Sequence, residues 1–215
     1  YGVCFAAMGW LIAVVFEHAA AYVSSLATGF FLVGPFLATG LYALSRRRER
    51  GEPAWLAPTL DAWRGNVGAI GVFAIVLAVI LLVWARASLV VFALFYTSEM
   101  PSVHGFLGQI FSLDNLEFLV AYACVGGFFA LLVFAISVVS VPMMLDRGTD
   151  GVVAVLTSAR AFAANLPAMI VWAATIVVVI AAGFALLFLG LVVAAPVIGH
   201  ATWHAYRALV EPPVG

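Results

Sequence analysis

The sequence predicts an all-α polytopic membrane protein with about six transmembrane helices. Three observations predict it: composition, the length of the apolar runs and the placement of the charges. Of 215 residues, 66% are apolar and 9% charged, where soluble domains run at about 45–50% and about 25%. Mean hydropathy is +1.20. So few charges could not cover a water-soluble core of this length. The apolar runs reach or exceed the roughly 20 residues that a helix needs to cross hydrocarbon. All nine basic residues are Arg, and with ten acidic residues they give a net charge of −1, which argues against nucleic acid as a partner.

Taken in order, the run from Val3 to Leu44 carries one polar break at Glu17-His18 and so reads as a hairpin of two spans, ended by Arg46, Arg47, Arg48 and Arg50. The chain opens on Tyr1-Gly2-Val3, apolar from its first residue, as expected of a chain whose leading residues lie upstream. Val67 to Phe95 is a third span with Arg86 as its one charge, and Tyr96 to Glu117 reads as an exposed loop. A fourth span runs from about Phe118 to Leu145. The block from Leu166 to Val210 would be roughly 68 Å long as one helix. It must fold back, and the small residues Ala181-Ala182-Gly183 are the expected place. Pro53 to Gly65 and Gly151 to Ala164 are too short and mixed to cross, and are expected to be amphipathic helices in the interface. Cys4 and Cys124 lie in apolar stretches and are expected to be buried thiols, with no disulfide framework.

Asp61–Ile80 set over Arg160–Val179 aligns Ala62 with Ala161, Asn66 with Asn165 and four further identities, with Trp63 on Phe162. Pro35, Pro142 and Pro196 each fall late in a hairpin, shortly before a charged boundary. The chain is therefore expected to be one integral membrane domain, 1–215, built of three hairpin units (about 1–50, 51–147 and 148–215) with interfacial helices between them. With six spans, the segments 45–66, 146–165 and 207–215 share one side and hold eight of the nine arginines. The positive-inside rule then places both termini in the cytoplasm.

Candidate sites are few. His200 and His204 stand four apart on one helix face, a spacing that suits two metal ligands. Ala201 replaces the usual Glu and no third ligand is near, so they read better with Trp203, Tyr206 and Arg207 as a polar and aromatic belt where a span leaves the membrane. Arg46, Arg47, Arg48, Arg50, Trp55 and Trp63 complete this lipid-facing or interface set. Glu17, His18, Arg86, Glu99, His104 and Glu117 form a possible polar cluster on the other side. No nucleophile–base set, phosphate loop, dinucleotide fingerprint or haem-attachment motif occurs. No catalytic or cofactor-binding residue and no cofactor is expected.

Leu32-Val33-Gly34-Pro35-Phe36 with Gly40-Leu41-Tyr42 and Ser45-Arg46-Arg47, the Ala62-Trp63-Arg64-x-Asn66 turn, and Pro196-x-x-Gly199-His200-Ala201-Thr202-Trp203-His204-Ala205-Tyr206-Arg207 carry a resemblance. The chain resembles an uncharacterised bacterial family of predicted integral membrane proteins, a domain of unknown function, some of whose members are labelled putative cytochrome c oxidase proteins. A haem–copper catalytic subunit uses six histidines and this chain has four, so the label would imply an accessory chain. The expectation is a non-catalytic multi-pass protein of the bacterial inner membrane, an accessory or assembly subunit of a larger complex, with a respiratory complex as the named candidate. Its partners would be the bilayer and other membrane protein subunits. The alternative is a small transporter or channel built on the repeat.

Overall fold

The computed structural model describes residues 1–19, 37–95 and 116–211, which are helical with no strand among them. The helices are α1 (Gly2–Ala19), α2 (37–49), α3 (Val67–Phe95), α4 (Leu116–Ser137), α5 (Ser140–Arg147), α6 (Gly151–Ala164), α7 (Leu166–Ala185) and α8 (Leu191–Leu209). Helix α3 lies along α4, α8 lies against both α1 and α7, and α6 packs on α4 and α5. The core gathers Tyr42 and Ala43 of α2, Ile70 and Phe73 of α3, Val141 and Met144 of α5, Ala154 of α6, and Trp203 and Tyr206 of α8.

Three stretches are long and apolar enough to cross a membrane: Ala57–Phe95, Leu116–Arg147 and Leu166–Ala185. The described residues thus bear out an all-helical membrane protein. Shorter apolar helices are Gly2–Val15 and Gly151–Ala164. The inner part of the first expected hairpin, residues 20–36, and most of the expected loop, 96–115, lie outside the described residues. The long helices turn most of their surface outward: 22% of the most apolar window of the first stretch is buried and 11% of that of the last. In a bilayer such faces meet acyl chains, and helix backbones satisfy their own polar groups there. Cys4 and Cys124 lie on such faces. Both are exposed, which corrects the expectation of buried thiols: in lipid an apolar position need not be an inner one.

The expected fourth span is two helices. Pro142 has no N–H, and its ring crowds the carbonyl of Val138 one turn earlier, so the helix breaks at Val138-Val139. The break is closed by a side chain from elsewhere. The hydroxyl of Ser158 on α6 donates to the carbonyl of Ala135 at 2.7 Å and accepts from the Val139 N–H at 3.1 Å. These are the two backbone groups that would bond each other in an unbroken helix, and Ser158 and Val139 are both 0% exposed. Helix α5 then ends on Gly148, whose φ of 61° needs no Cβ in its way. Asp150 caps α6, its carboxylate accepting from the Val152 N–H at 2.8 Å.

Two other expectations shift. Pro53 to Gly65 is not an amphipathic α-helix but two 3-10 turns, Ala57–Thr59 and Ala62–Asn66. Pro53, Pro58 and Gly65 leave no stretch long enough for an α-helix. Trp55, Leu56 and Leu60 still project, each above 60% exposed. The final hairpin reverses at Leu186–Gly190, not at Ala181–Gly183, and Leu187 and Phe188 take the left-handed conformation there (φ 52° and 65°). The small residues bring the helices together instead of forming the turn: a Cβ on Gly190 would stand 2.7 Å from the Gly183 Cα. Asn66 and Asn165 each stand just before a long helix, α3 and α7.

Ser158→Ala removes the bridge and leaves a buried N–H and a buried carbonyl unmet, an expected loss of about 1–3 kcal/mol. Thr157→Ala, on the exposed side of the same helix, should cost less than half as much. Denaturant unfolding in mixed micelles measures both, and equal losses would show that the bridge contributes nothing special.

Candidate functional site

The described polar side chains gather where α2, α5 and α8 end. Helix α5 leaves carbonyls without partners at its C-terminus, and two other segments supply donors. Asn66 Nδ2 donates to the carbonyls of Met144 at 3.2 Å and Thr149 at 3.0 Å. Arg46 Nη1 donates to the carbonyl of Leu145 at 2.7 Å. Burial and the nearby Arg50 guanidinium push the Arg46 pKa below its ordinary value, which still leaves the group charged near neutrality.

A chain of charges ties the three ends together. Tyr206 donates its hydroxyl proton to Asp146 Oδ2 at 2.9 Å and accepts from Arg147 Nε at 3.0 Å. Arg207 reaches Asp146 at 3.6 Å with one nitrogen and Glu49 at 3.4 Å with another. His204 Nδ1 stands 3.6 Å from Glu49, and His200 Nδ1 shares a hydrogen bond of 2.7 Å with Ser45. Glu49 and Ser45 come from α2, Asp146 and Arg147 from α5, and the rest from α8, so the chain acts as a clasp across three separate parts of the sequence.

Beside the clasp, between α2 and α8, is a cleft of about 640 Å³ lined by Ser45, Arg48, Glu49, His200 and His204 with Leu44 and Ala54. A second cleft of about 500 Å³ touches the same two helices through Ala38, Leu41, Ile198, Gly199 and Thr202. The helices touch closely at Gly199, where a Cβ would meet Leu41 Cδ1 at 2.5 Å. A third cleft of about 470 Å³ lies between α3 and α4 around Trp84 and Gly126.

The expected site residues fare unevenly. His200 and His204 line one cleft, but their Nδ1 atoms face Ser45 and Glu49. Among the described residues no group of three or more His, Cys, Asp or Glu is placed to hold a metal. Arg46 and Arg207 join the clasp, and Arg47 bonds the Pro53 carbonyl at 3.1 Å and pairs with Glu52 at 3.4 Å. Arg48 and Arg50 are exposed. Trp55 projects, and Trp63 donates to the Leu60 carbonyl at 3.1 Å with the Arg64 guanidinium 5.6 Å over its ring.

Trp203 and Tyr206 are not a lipid-facing belt. Both are 0% exposed, their rings 5.6 Å apart, because this face of α8 turns into the core. The indole N–H of Trp203 finds no acceptor among the described residues. Of the opposite polar cluster, Arg86 and Glu117 are exposed on the neighbouring helices α3 and α4, with no ion pair between them among the described residues. Glu17 and His18 fall near the end of α1, their side chains outside the described residues, and Glu99 and His104 lie outside them altogether.

Sequence reasoning missed Ser45, Glu49, Asp146 and Ser158 as structural partners. The only visible signal was the Asp146-Arg147 pair just before Gly148, which marks a helix end but not what it meets. Asp146→Ala strands the Tyr206 hydroxyl and half of Arg207, with an expected loss of about 1.5–3 kcal/mol. Combined with Tyr206→Phe the losses should fall short of additivity by about 0.5–3 kcal/mol. Strict additivity in a double-mutant unfolding cycle would mean that the two groups do not act as a unit.

A family model described as a predicted integral membrane protein (DUF2189) matches residues 22–146, which hold α2 through α5. No curated protein and no solved structure matches the chain. The matched segment is more than half of the sequence and contains two of the three long apolar stretches, so the chain belongs to this family of integral membrane proteins.

Proposed function

We propose that the chain is a non-catalytic subunit of the bacterial inner membrane, an accessory or assembly component of a larger complex. The single observation that supports this reading is the outward apolar surface of α7. Val171, Val177 and Val178 are each 65–67% exposed, and Ile170 and Phe184 project beside them. The helix also carries Ala168, Ala173, Ala174, Ala181 and Ala182. Small residues let helix backbones approach closely in a membrane, so such a face suits another transmembrane helix as well as lipid. A respiratory complex is the named candidate, on the oxidase label that some members of the resembled family carry.

Purification from native membranes in mild detergent tests the proposal, with mass spectrometry of the proteins that travel at fixed stoichiometry and a recorded haem spectrum. A constant larger partner is the expected result, and haem in it would support the respiratory assignment. A chain that purifies alone or with copies of itself would overturn the subunit reading and favour the transporter alternative, for liposome flux assays to test. The orientation is tested separately. Fluorescent fusions after residues 50, 150 and 211 should all light up in the cytoplasm, and a dark fusion at any one of them would overturn the six-span plan.

A further inference from the structure

We propose that the cleft between α2 and α8, lined by Ser45, Arg48, Glu49, His200 and His204, binds the phosphodiester headgroup of an anionic membrane lipid. The inference does not depend on the subunit reading, since a lone protein can hold a lipid.

The argument begins with charge. Among the described residues Glu49 is the one carboxylate of the cleft, and it is engaged by Arg207 at 3.4 Å, which it shares with Asp146, and by His204 at 3.6 Å. Arg48 lines the same cleft, and among the described residues no ion pair or hydrogen bond engages its guanidinium. Arg48 is thus the cleft cation with no partner among the described residues, and a phosphodiester carries a single negative charge. A guanidinium also presents its N–H groups in a fork that fits two phosphate oxygens, which an ammonium does not.

The histidines add donors. The hydrogen bond between Ser45 and His200 Nδ1 occupies that ring nitrogen and leaves Nε2 for another partner. In the tautomer in which the serine hydroxyl donates to Nδ1, neutral His200 carries its proton on Nε2 and can donate from there. His204 has its Nδ1 toward Glu49, which leaves its own Nε2 for another partner. A volume of about 640 Å³ lies within the roughly 300–1,000 Å³ of ligand pockets.

Position selects a lipid over a free ion. The cleft sits where α2 passes from Leu41-Tyr42-Ala43-Leu44 into the arginine run, the level at which a membrane helix meets headgroups. The second cleft lies nearer the middle of the apolar run on the same two helices and is lined almost wholly by hydrocarbon. An amphiphile with its phosphate beside Arg48 can lay acyl chains along that surface.

The test is native mass spectrometry of the full chain in detergent with phosphatidylglycerol and phosphatidylcholine present in equal amounts. Wild type should retain phosphatidylglycerol in preference. Arg48→Gln should reduce that retention about fivefold, the effect expected of one arginine at a lipid surface. Arg160→Gln makes the same charge change on an exposed site of α6 and should leave retention unaltered. Equal losses in the two variants, or no preference in wild type, would overturn the proposal. Should Arg48→Gln melt well below wild type, His204→Gln at an exposed ring serves in its place and should also weaken retention. Millimolar inorganic phosphate should not displace the lipid. Complete displacement would show a site for the free ion and overturn the lipid assignment.

Discussion

The hydroxyl of Ser158 meets the two buried backbone groups that the break before Pro142 leaves open, and the arrangement of α5, α6 and α8 follows from that. A membrane helix has no water to satisfy a broken backbone, so a proline late in a span demands a replacement partner from the protein itself. Here the replacement bridges the Ala135 carbonyl and the Val139 N–H. It does so from a helix that follows the broken one in sequence, which fixes α6 across the junction of α4 and α5. The redirected α5 then brings Asp146 and Arg147 to α8 and its terminal carbonyls to Arg46 and Asn66. The clasp depends on the bend, which Pro142 imposes and the Ser158 hydroxyl satisfies.

Electrostatics and packing divide the labour along the molecule. Away from the clasp, the long helices meet through Ala, Gly, Leu and aromatic contacts, such as the perpendicular Phe92–Phe118 rings at 5.7 Å or the approach of Gly190 to Gly183. Such contacts do not select depth or rotation strongly, because lipid tails are as apolar as the side chains they would replace. The charges at one end supply that selection. Arg207, between Glu49 and Asp146, is shared by two carboxylates on different helices, and its fork allows what a lysine could not match.

Much of the fold was legible because hydrocarbon imposes a simple demand on sequence. Run length placed α3, α4 and α7, and the Gly148–Asp150 junction has a left-handed stop followed by a capping carboxylate. The split of the fourth span was not read, although Pro142 stands in it. Prolines are tolerated in membrane helices when a partner exists, and nothing in the spacing of Ser158 announces that it is the partner. The turn after α7 was misplaced because small residues serve both tight turns and tight packing. The clasp was hidden for a different reason: its members stand about 60 to 160 positions apart, and pairing at that range leaves no trace in local periodicity. Trp203 and Tyr206 look like interfacial aromatics in sequence, and only the direction of the α8 face shows that they are core.

The tip of the last hairpin has a consequence for how the molecule sits in its membrane. Leu186, Leu187 and Leu189 are 65–79% exposed, and the turn closes its own backbone bonds, among them Leu189 N–H to the Leu186 carbonyl at 3.0 Å. Leu186–Gly190 carries no polar side chain. The polar anchors of the hairpin therefore lie at its other end, in the arginines and their partners, while among the described residues its tip is held by apolar packing alone, Phe188 against Gly9 of α1. In a thinner or thicker bilayer it can keep its grip on one surface and let the other rise or fall past it.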